Sequence, residues 1–198
     1  MLGFPHRAYL VVLWGARVGG DGDQARFEAL VVPYLADAFA LARWISGNRA
    51  DAEDIVQDAC LRAFRGIGGY NGGSPRAWLL TIVRRTAYSW LEKYRTPMLV
   101  AVDDLDAKSR QEAEFGGNSY ASPETPEAEL IAKADANDLE VAIAALPVEF
   151  RETLVLRDIQ GLDYREISQV MATPIGTVMS RLARARRRLI DTIGADRS

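Results

Sequence analysis

Residues 173–189 read TPIGTVMSRLARARRRL, and the way this stretch sorts its side chains decides the fold of the C-terminal third. It holds five arginines and no acid, in a chain whose formal net charge is −3. Thr173 stands where an N-cap hydroxyl serves, and Pro174 suits the first helical position, where a missing N–H costs nothing. Ile175, Val178, Leu182, Ala185 and Leu189 recur at helical spacing and define one apolar stripe. Thr177, Ser180, Arg184, Arg187 and Arg188 fall on the opposite side, with Arg181 at its edge. A helix with one apolar face and one Arg/Ser/Thr face can lie on a packed domain and point into a DNA major groove.

The residues upstream supply the rest of the module. Asp163 and Glu166 have capping-box spacing and start a helix at Tyr164, with Ile167, Val170 and Met171 as its apolar face. Only Ala172 and Thr173 separate it from Pro174, so the two helices form a helix-turn-helix pattern. Leu146-Pro147 opens an earlier helix with Phe150, Leu154, Val155 and Ile159 as apolar positions, stopped at Gly161. A first helix is expected over 128–145, which makes a compact module of four helices over 128–192.

Composition removes whole classes of chemistry. One cysteine excludes a disulfide framework and a cysteine-rich zinc site, and Cys60, among Ile55, Val56, Ala59 and Phe64, reads as a buried thiol. One histidine, His6, removes histidine triads and multi-histidine metal sites. No Walker loop or dinucleotide fingerprint is present, so no cofactor and no small-molecule substrate are expected. Residues 1–95, 96–140 and 141–198 carry net charges of +3, −8 and +2, so two mildly basic modules flank an acidic connector. The apolar run AYLVVLW at 8–14 is too short to span a membrane, so no stable insertion is expected. Residues 1–23 read as an extension ahead of the folded part, or as a start codon placed too early.

The N-terminal module, 24–95, reads as three to four helices. The pattern from Gln24 to Ser46 is helical, with Pro33 marking a kink or early turn. Gly47 and Asn48 end it, and Asp51 with Asp54 reads as the cap of a second helix, DAEDIVQDACLRAFRGI. On that helix Asp54, Gln57 and Asp58 stay off the apolar positions Ile55, Ala59 and Phe64. A glycine loop follows, and Ser74-Pro75 begins a third helix whose core stripe is Leu79, Ile82, Val83, Thr86 and Trp90. Trp78, Arg84, Arg85, Tyr88 and Arg95 point away from that stripe. Basic groups interleaved with aromatics suit unstacked bases, although Trp78 and Tyr88 can equally complete a bundle core and the arginines can be a solvated face.

The segments RADAEDIVQDACLRAFR, RAWLLTIVRRTAYSWL and LPVEFRETLVLRDIQGLDYREISQVMATPIGTVMSRLARARRRL, in that order, together resemble the extracytoplasmic-function sigma factors of bacterial RNA polymerase. The resemblance implies two small all-α domains, region two at 24–95 and region four at 128–192, joined by a flexible acidic linker at 96–127. It implies that Asp54, Gln57 and Asp58 contact the clamp helices of the polymerase β′ subunit. Region four would meet the β flap. The loop from Tyr70 and Asn71 to Ser74 and the start of the third helix, with Trp78, Arg84, Arg85 and Tyr88, would capture and open the minus-ten element. The helix from Pro174 would read the minus-thirty-five element through Thr177, Ser180, Arg181, Arg184, Arg187 and Arg188. It also implies promoter DNA and an anti-sigma factor as partners, a cytoplasmic location and no enzymatic activity. Arg85 stands where the family often has Asn, and Met179 where it often has Arg or Lys. An autonomous helix-turn-helix regulator with an N-terminal sensor or dimerisation domain explains residues 128–192 equally well. It leaves the acidic second helix and the aromatic-basic third helix without a purpose. With few contacts expected between the modules, the linker is the expected site of proteolysis.

Overall fold

A computed structural model describes residues 21–100 and 137–196. The N-terminal extension and most of the acidic connector lie outside the described residues. Among those described, all regular structure is helical: α1 (Asp21–Leu30), α2 (Leu35–Ser46), α3 (Arg49–Gly66), α4 (Pro75–Val100), α5 (137–144), α6 (Val148–Leu154), α7 (Tyr164–Met171) and α8 (Ile175–Asp196).

Local chemistry explains most boundaries. Pro33 sits in a 3-10 turn, Val32–Tyr34, that separates α1 from α2. The apolar stretch Gly22–Ser46 has the length and composition to cross a bilayer, but this turn divides it and half of it is buried in the fold. Gly47, at φ 86°, takes the left-handed conformation that ends α2. The next residue, Asn48, caps α3 by accepting the Asp51 N–H at 2.8 Å. This corrects the expected cap: α3 starts ahead of Asp51, because the Asn48 amide reaches the free N–H groups first, and Asp54 lies inside the helix. Asp163 does cap α7, accepting from the Arg165 and Glu166 N–H groups at 2.8 Å each, while Glu166 accepts the Asp163 N–H at 3.1 Å. Thr173 does not cap α8; its hydroxyl donates to the Met171 carbonyl at 3.0 Å, across the turn.

The register of α6 departs from the simple period. Its last turn, Val155–Ile159, is a π turn. The extra residue rotates the following side chains, so Leu156 is fully buried and Ile159 is 51% exposed, the reverse of an unbroken α period. Gly161, at φ 72°, then lets the chain reverse and drops Leu162 into the core.

The two modules are packed together, against the expectation of few contacts. One apolar cluster joins Leu41, Leu79, Leu80 and Val83 of the first module to Leu156, Leu162, Ile167, Val170 and Val178 of the second. A second cluster sets Trp44 of α2 among Ile143, Leu146, Leu154, Leu182 and Ala185. Leu80 and Ala87, off the predicted stripe of α4, are buried alongside Leu79 and Val83. Helix α4 therefore has two covered faces. The first rests on α2 and α3, and the second on α7 of the C-terminal module. A one-stripe reading of the sequence missed the second.

Candidate functional site

The basic face of α8 is arranged as its spacing predicts. Val178, Leu182 and Ala185 are buried, while Ser180, Arg184, Arg187 and Arg188 are exposed and Thr177 and Arg181 half-buried. Ile175, expected on the apolar stripe, is 41% exposed because it lies at the first turn, beyond the edge of the core. The Ser180 hydroxyl donates to the Thr177 carbonyl at 3.0 Å. The Arg188 guanidinium stacks 5.1 Å from the Phe150 ring centroid, and Arg186 is turned aside into an ion pair with Asp158 of α6 at 2.6 Å. Met179 is 51% exposed on the same open side. The short turn Ala172–Pro174, with Ala172 at φ 50°, fixes α8 against α7, and Ser168 donates its hydroxyl to the Thr173 carbonyl at 2.6 Å to brace it.

The acidic face of α3 borders a groove. Asp54, Gln57, Asp58, Leu61 and Arg62 form one wall, and Thr86, Ser89, Trp90, Lys93 and Tyr94 of α4 the other, around about 410 Å³. Asp58 pairs with Arg62 at 2.9 Å and remains half exposed. Trp90 and Tyr94 stack with ring centroids 4.8 Å apart. The buried Thr86 hydroxyl has no hydrogen-bond partner among the described residues. The α3 wall carries the acids Asp54 and Asp58 beside Arg62, and the facing α4 wall carries Trp90, Tyr94 and Lys93.

The residues expected at the opened promoter divide into two groups. At the loop, Tyr70 is buried rather than presented: its hydroxyl donates to the Gly73 carbonyl at 2.7 Å, and its carbonyl accepts from Arg26 at 2.5 Å. Trp78 is half-buried and packs on Tyr70, centroids 5.2 Å apart, so it both supports the loop and shows an edge to solvent. Asn71 is exposed, and Gly72 and Gly73, at φ 103° and 92°, shape the turn beside it. Farther along α4, Arg85 is exposed. Arg95 lies on α4 with its side chain outside the described residues.

Arg84 and Tyr88, expected away from the core stripe of α4, face the C-terminal module. Glu152 of α6, 1% exposed, accepts from Arg84 Nε and Nη2 at 3.0 Å each and from the Tyr88 hydroxyl at 3.1 Å. The Arg84 guanidinium also lies 4.7 Å from the Tyr88 ring centroid. Burial pushes the Tyr88 phenol up to about 12, and the Glu152 charge adds to the effect. Burial works to lower Arg84, but its hydrogen bonds and charge pairing with Glu152 prevail and raise it. Polar contacts also flank the apolar clusters at the module boundary. Arg76 bridges Asp37 at 2.6 Å and the Gln160 carbonyl at 2.7 Å, Gln160 donates to the Asp37 carbonyl at 2.8 Å, and Ser74 donates to Glu166 at 2.7 Å.

Glu152 escaped the sequence reading. Its signal was an acid at the spacing of Val148 and Val155, on the inward stripe of α6, where an unpaired charge is not tolerated. Among the described residues no cluster of acids, histidine or cysteine is arranged to hold a metal, and burial pushes the Cys60 thiol up to about 12, far from a reactive range.

Comparison with known proteins agrees with this geometry. The family model "Sigma-70 region 2" matches residues 30–96, and "Sigma-70, region 4" matches residues 136–189. The chain is 33% identical over 168 residues to the ECF RNA polymerase sigma-E factor of Escherichia coli K12, covering 83% of this chain and 85% of that one. It is 33% identical over 175 residues to the ECF RNA polymerase sigma factor SigE of Mycolicibacterium smegmatis, covering 86% of this chain but 63% of that longer protein. Among solved structures, the sigma factor RpoE of Bartonella quintana, in complex with the anti-sigma factor NepR, superposes with a TM-score of 0.68 at 27% identity, over 86% of this chain and 98% of that one. CnrH, in complex with the cytosolic domain of CnrY, shares the fold at a TM-score of 0.56 and 22% identity, over 87% of this chain and 90% of that one.

Proposed function

The chain belongs to the extracytoplasmic-function sigma factors of bacterial RNA polymerase, and from that membership we propose that it binds the polymerase core and directs promoter-specific initiation. The observation that carries this is the ordered pair of family matches, region two followed by region four, on one chain. Chemistry belongs to the polymerase, and this chain supplies recognition; it acts in the cytoplasm, where the polymerase and promoter are.

Asp54, Gln57 and Asp58 contact the β′ clamp helices, with the α3–α4 groove receiving their apolar side. Region four docks on the β flap and lays α8 in the minus-thirty-five major groove. There Ser180 and Arg184 face base edges, Thr177 and Arg181 flank them, and Arg187 and Arg188 meet phosphates. Asn71 and Trp78 engage the minus-ten strand near the loop that Tyr70 buttresses, and Arg84, Arg85 and Tyr88 engage it about two to three turns farther along α4. The Bartonella relative was solved with an anti-sigma factor, and control by such a partner extends to this chain.

Sedimentation with purified core polymerase tests the reading. A one-to-one complex of monomeric factor and core is expected. A dimer that leaves the core alone and binds palindromic duplex would instead establish an autonomous regulator.

A further inference from the structure

Arg84 and Tyr88 form a ready receptor for an oxyanion. The guanidinium presents two N–H groups to the two Glu152 oxygens at 3.0 Å each, and the phenol hydroxyl adds a third donor at 3.1 Å. The stacking of Arg84 over the Tyr88 ring, at 4.7 Å, holds both donors in one orientation. A planar fork of this kind fits a phosphodiester as well as a carboxylate. Its neighbours on α4 favour nucleic acid: Arg85 is exposed at the next position, and the Tyr70–Trp78 ring pair lies toward the helix start. The group now filling the receptor is a carboxylate of the same chain, delivered by the C-terminal module. A second acid of that module, Glu166, accepts from Ser74 at the foot of the glycine loop. Arg184, Arg187 and Arg188 of α8, by contrast, stay exposed while the modules are closed.

We infer that the Arg84–Tyr88 receptor binds a backbone phosphate of the opened promoter strand, and that Glu152 competes for it as an internal stand-in. The inference rests on the proposed role of α4 at the minus-ten element. The free chain is then masked at minus ten and open at minus thirty-five. Separation of the modules on the core removes Glu152 and bares the receptor. The carboxylate is fully buried only while a cation faces it, so closing and strand binding exclude each other.

The test uses the full chain, labelled with a fluorophore pair at Glu92→Cys and Thr192→Cys, both exposed, while the buried Cys60 is spared. Glu152→Gln keeps the side-chain shape and removes its charge. It should lower energy transfer between the modules and raise affinity for a single-stranded minus-ten oligonucleotide ~10-fold, because the closed form then loses the charged hydrogen bonds of Glu152 and rests chiefly on the apolar clusters. Affinity for minus-thirty-five duplex should change less than ~2-fold, which separates unmasking from the general gain of removing one negative charge. Glu152→Lys, which sets like charges face to face, should act in the same direction and more strongly. In the wild-type chain the oligonucleotide should lower energy transfer, and inorganic phosphate or an acidic peptide at equal charge concentration should not. Unchanged energy transfer and oligonucleotide affinity in both variants overturns the inference. So does an equal gain on single strand and duplex, or equal release by the acidic peptide. Promoter opening by the wild-type holoenzyme tests the role of α4 separately, and its absence would refute that role whatever Glu152 does.

Discussion

Arg184→Ala and Arg188→Ala should differ in kind, and the structure sets the size of each. Arg184 is exposed on the middle of α8, opposite the buried Val178 and Leu182, and no described side chain engages it. Its removal therefore costs the fold little, within about 0.5 kcal/mol. A bidentate arginine–guanine contact discriminates by about 1–3 kcal/mol, so the preference for the best upstream element over its single-base variants should fall by ~5- to 150-fold at the contacted pair. Arg188 lies one turn later and already stacks on Phe150 at 5.1 Å. Its loss removes an exposed cation–π contact of about 0.5–1 kcal/mol and one phosphate contact. Affinity should drop evenly across sequences, and the slope of log affinity against log salt should fall by about one unit. Fluorescence anisotropy of holoenzyme on duplexes selected from a randomised library, at several salt concentrations, reads both effects. If Arg184→Ala lowers every duplex equally and leaves their ranking intact, the facing assigned to α8 is wrong.

Other perturbations probe the remaining parts. Asp163→Ala removes both acceptor contacts at the start of α7 and should cost about 1–2 kcal/mol by thermal melting, whereas Thr173→Ala, whose hydroxyl caps nothing, should cost less. Asp58→Lys loses only a half-exposed pair with Arg62, so core affinity should fall clearly while the melting temperature stays nearly unchanged. The Tyr88 phenol is raised to about 12 in the closed chain, above the ordinary value near 10, so its share of the closed form's stability is full below pH 10 and is lost as pH rises from 10 through 12. Absorbance at 295 nm should show a tyrosine ionisation displaced upward toward about 12, and Tyr88→Phe should abolish that step.

Much of this molecule was legible in its residues because local signals dominated. The Asp163–Glu166 pair, the Pro33 break and the sorted faces of α8 each act within one or two turns, and each is found where spacing puts it. What escaped needed information from across the chain. Helix α4 reads as one apolar stripe with a free basic side, yet that side is covered, because Glu152 pairs with Arg84 and Tyr88 sixty-eight and sixty-four residues away in sequence. The π turn in α6 has no periodic signature and exchanges the roles of Leu156 and Ile159. Asn48 won the cap of α3 over Asp51 through its position at a tight corner after Gly47, a competition between neighbours that composition does not settle.

Permanganate footprinting of unpaired thymines tests the central claim most directly. Core polymerase reconstituted with this chain, on a promoter carrying its selected upstream element, should show reactive thymines over a short segment about the minus-ten position. Core alone should show none. Arg84→Ala and Tyr88→Ala should suppress the reactivity on duplex and lose less on a template with a pre-melted bubble. Equal footprints with and without the chain would contradict its assignment as the promoter-opening subunit.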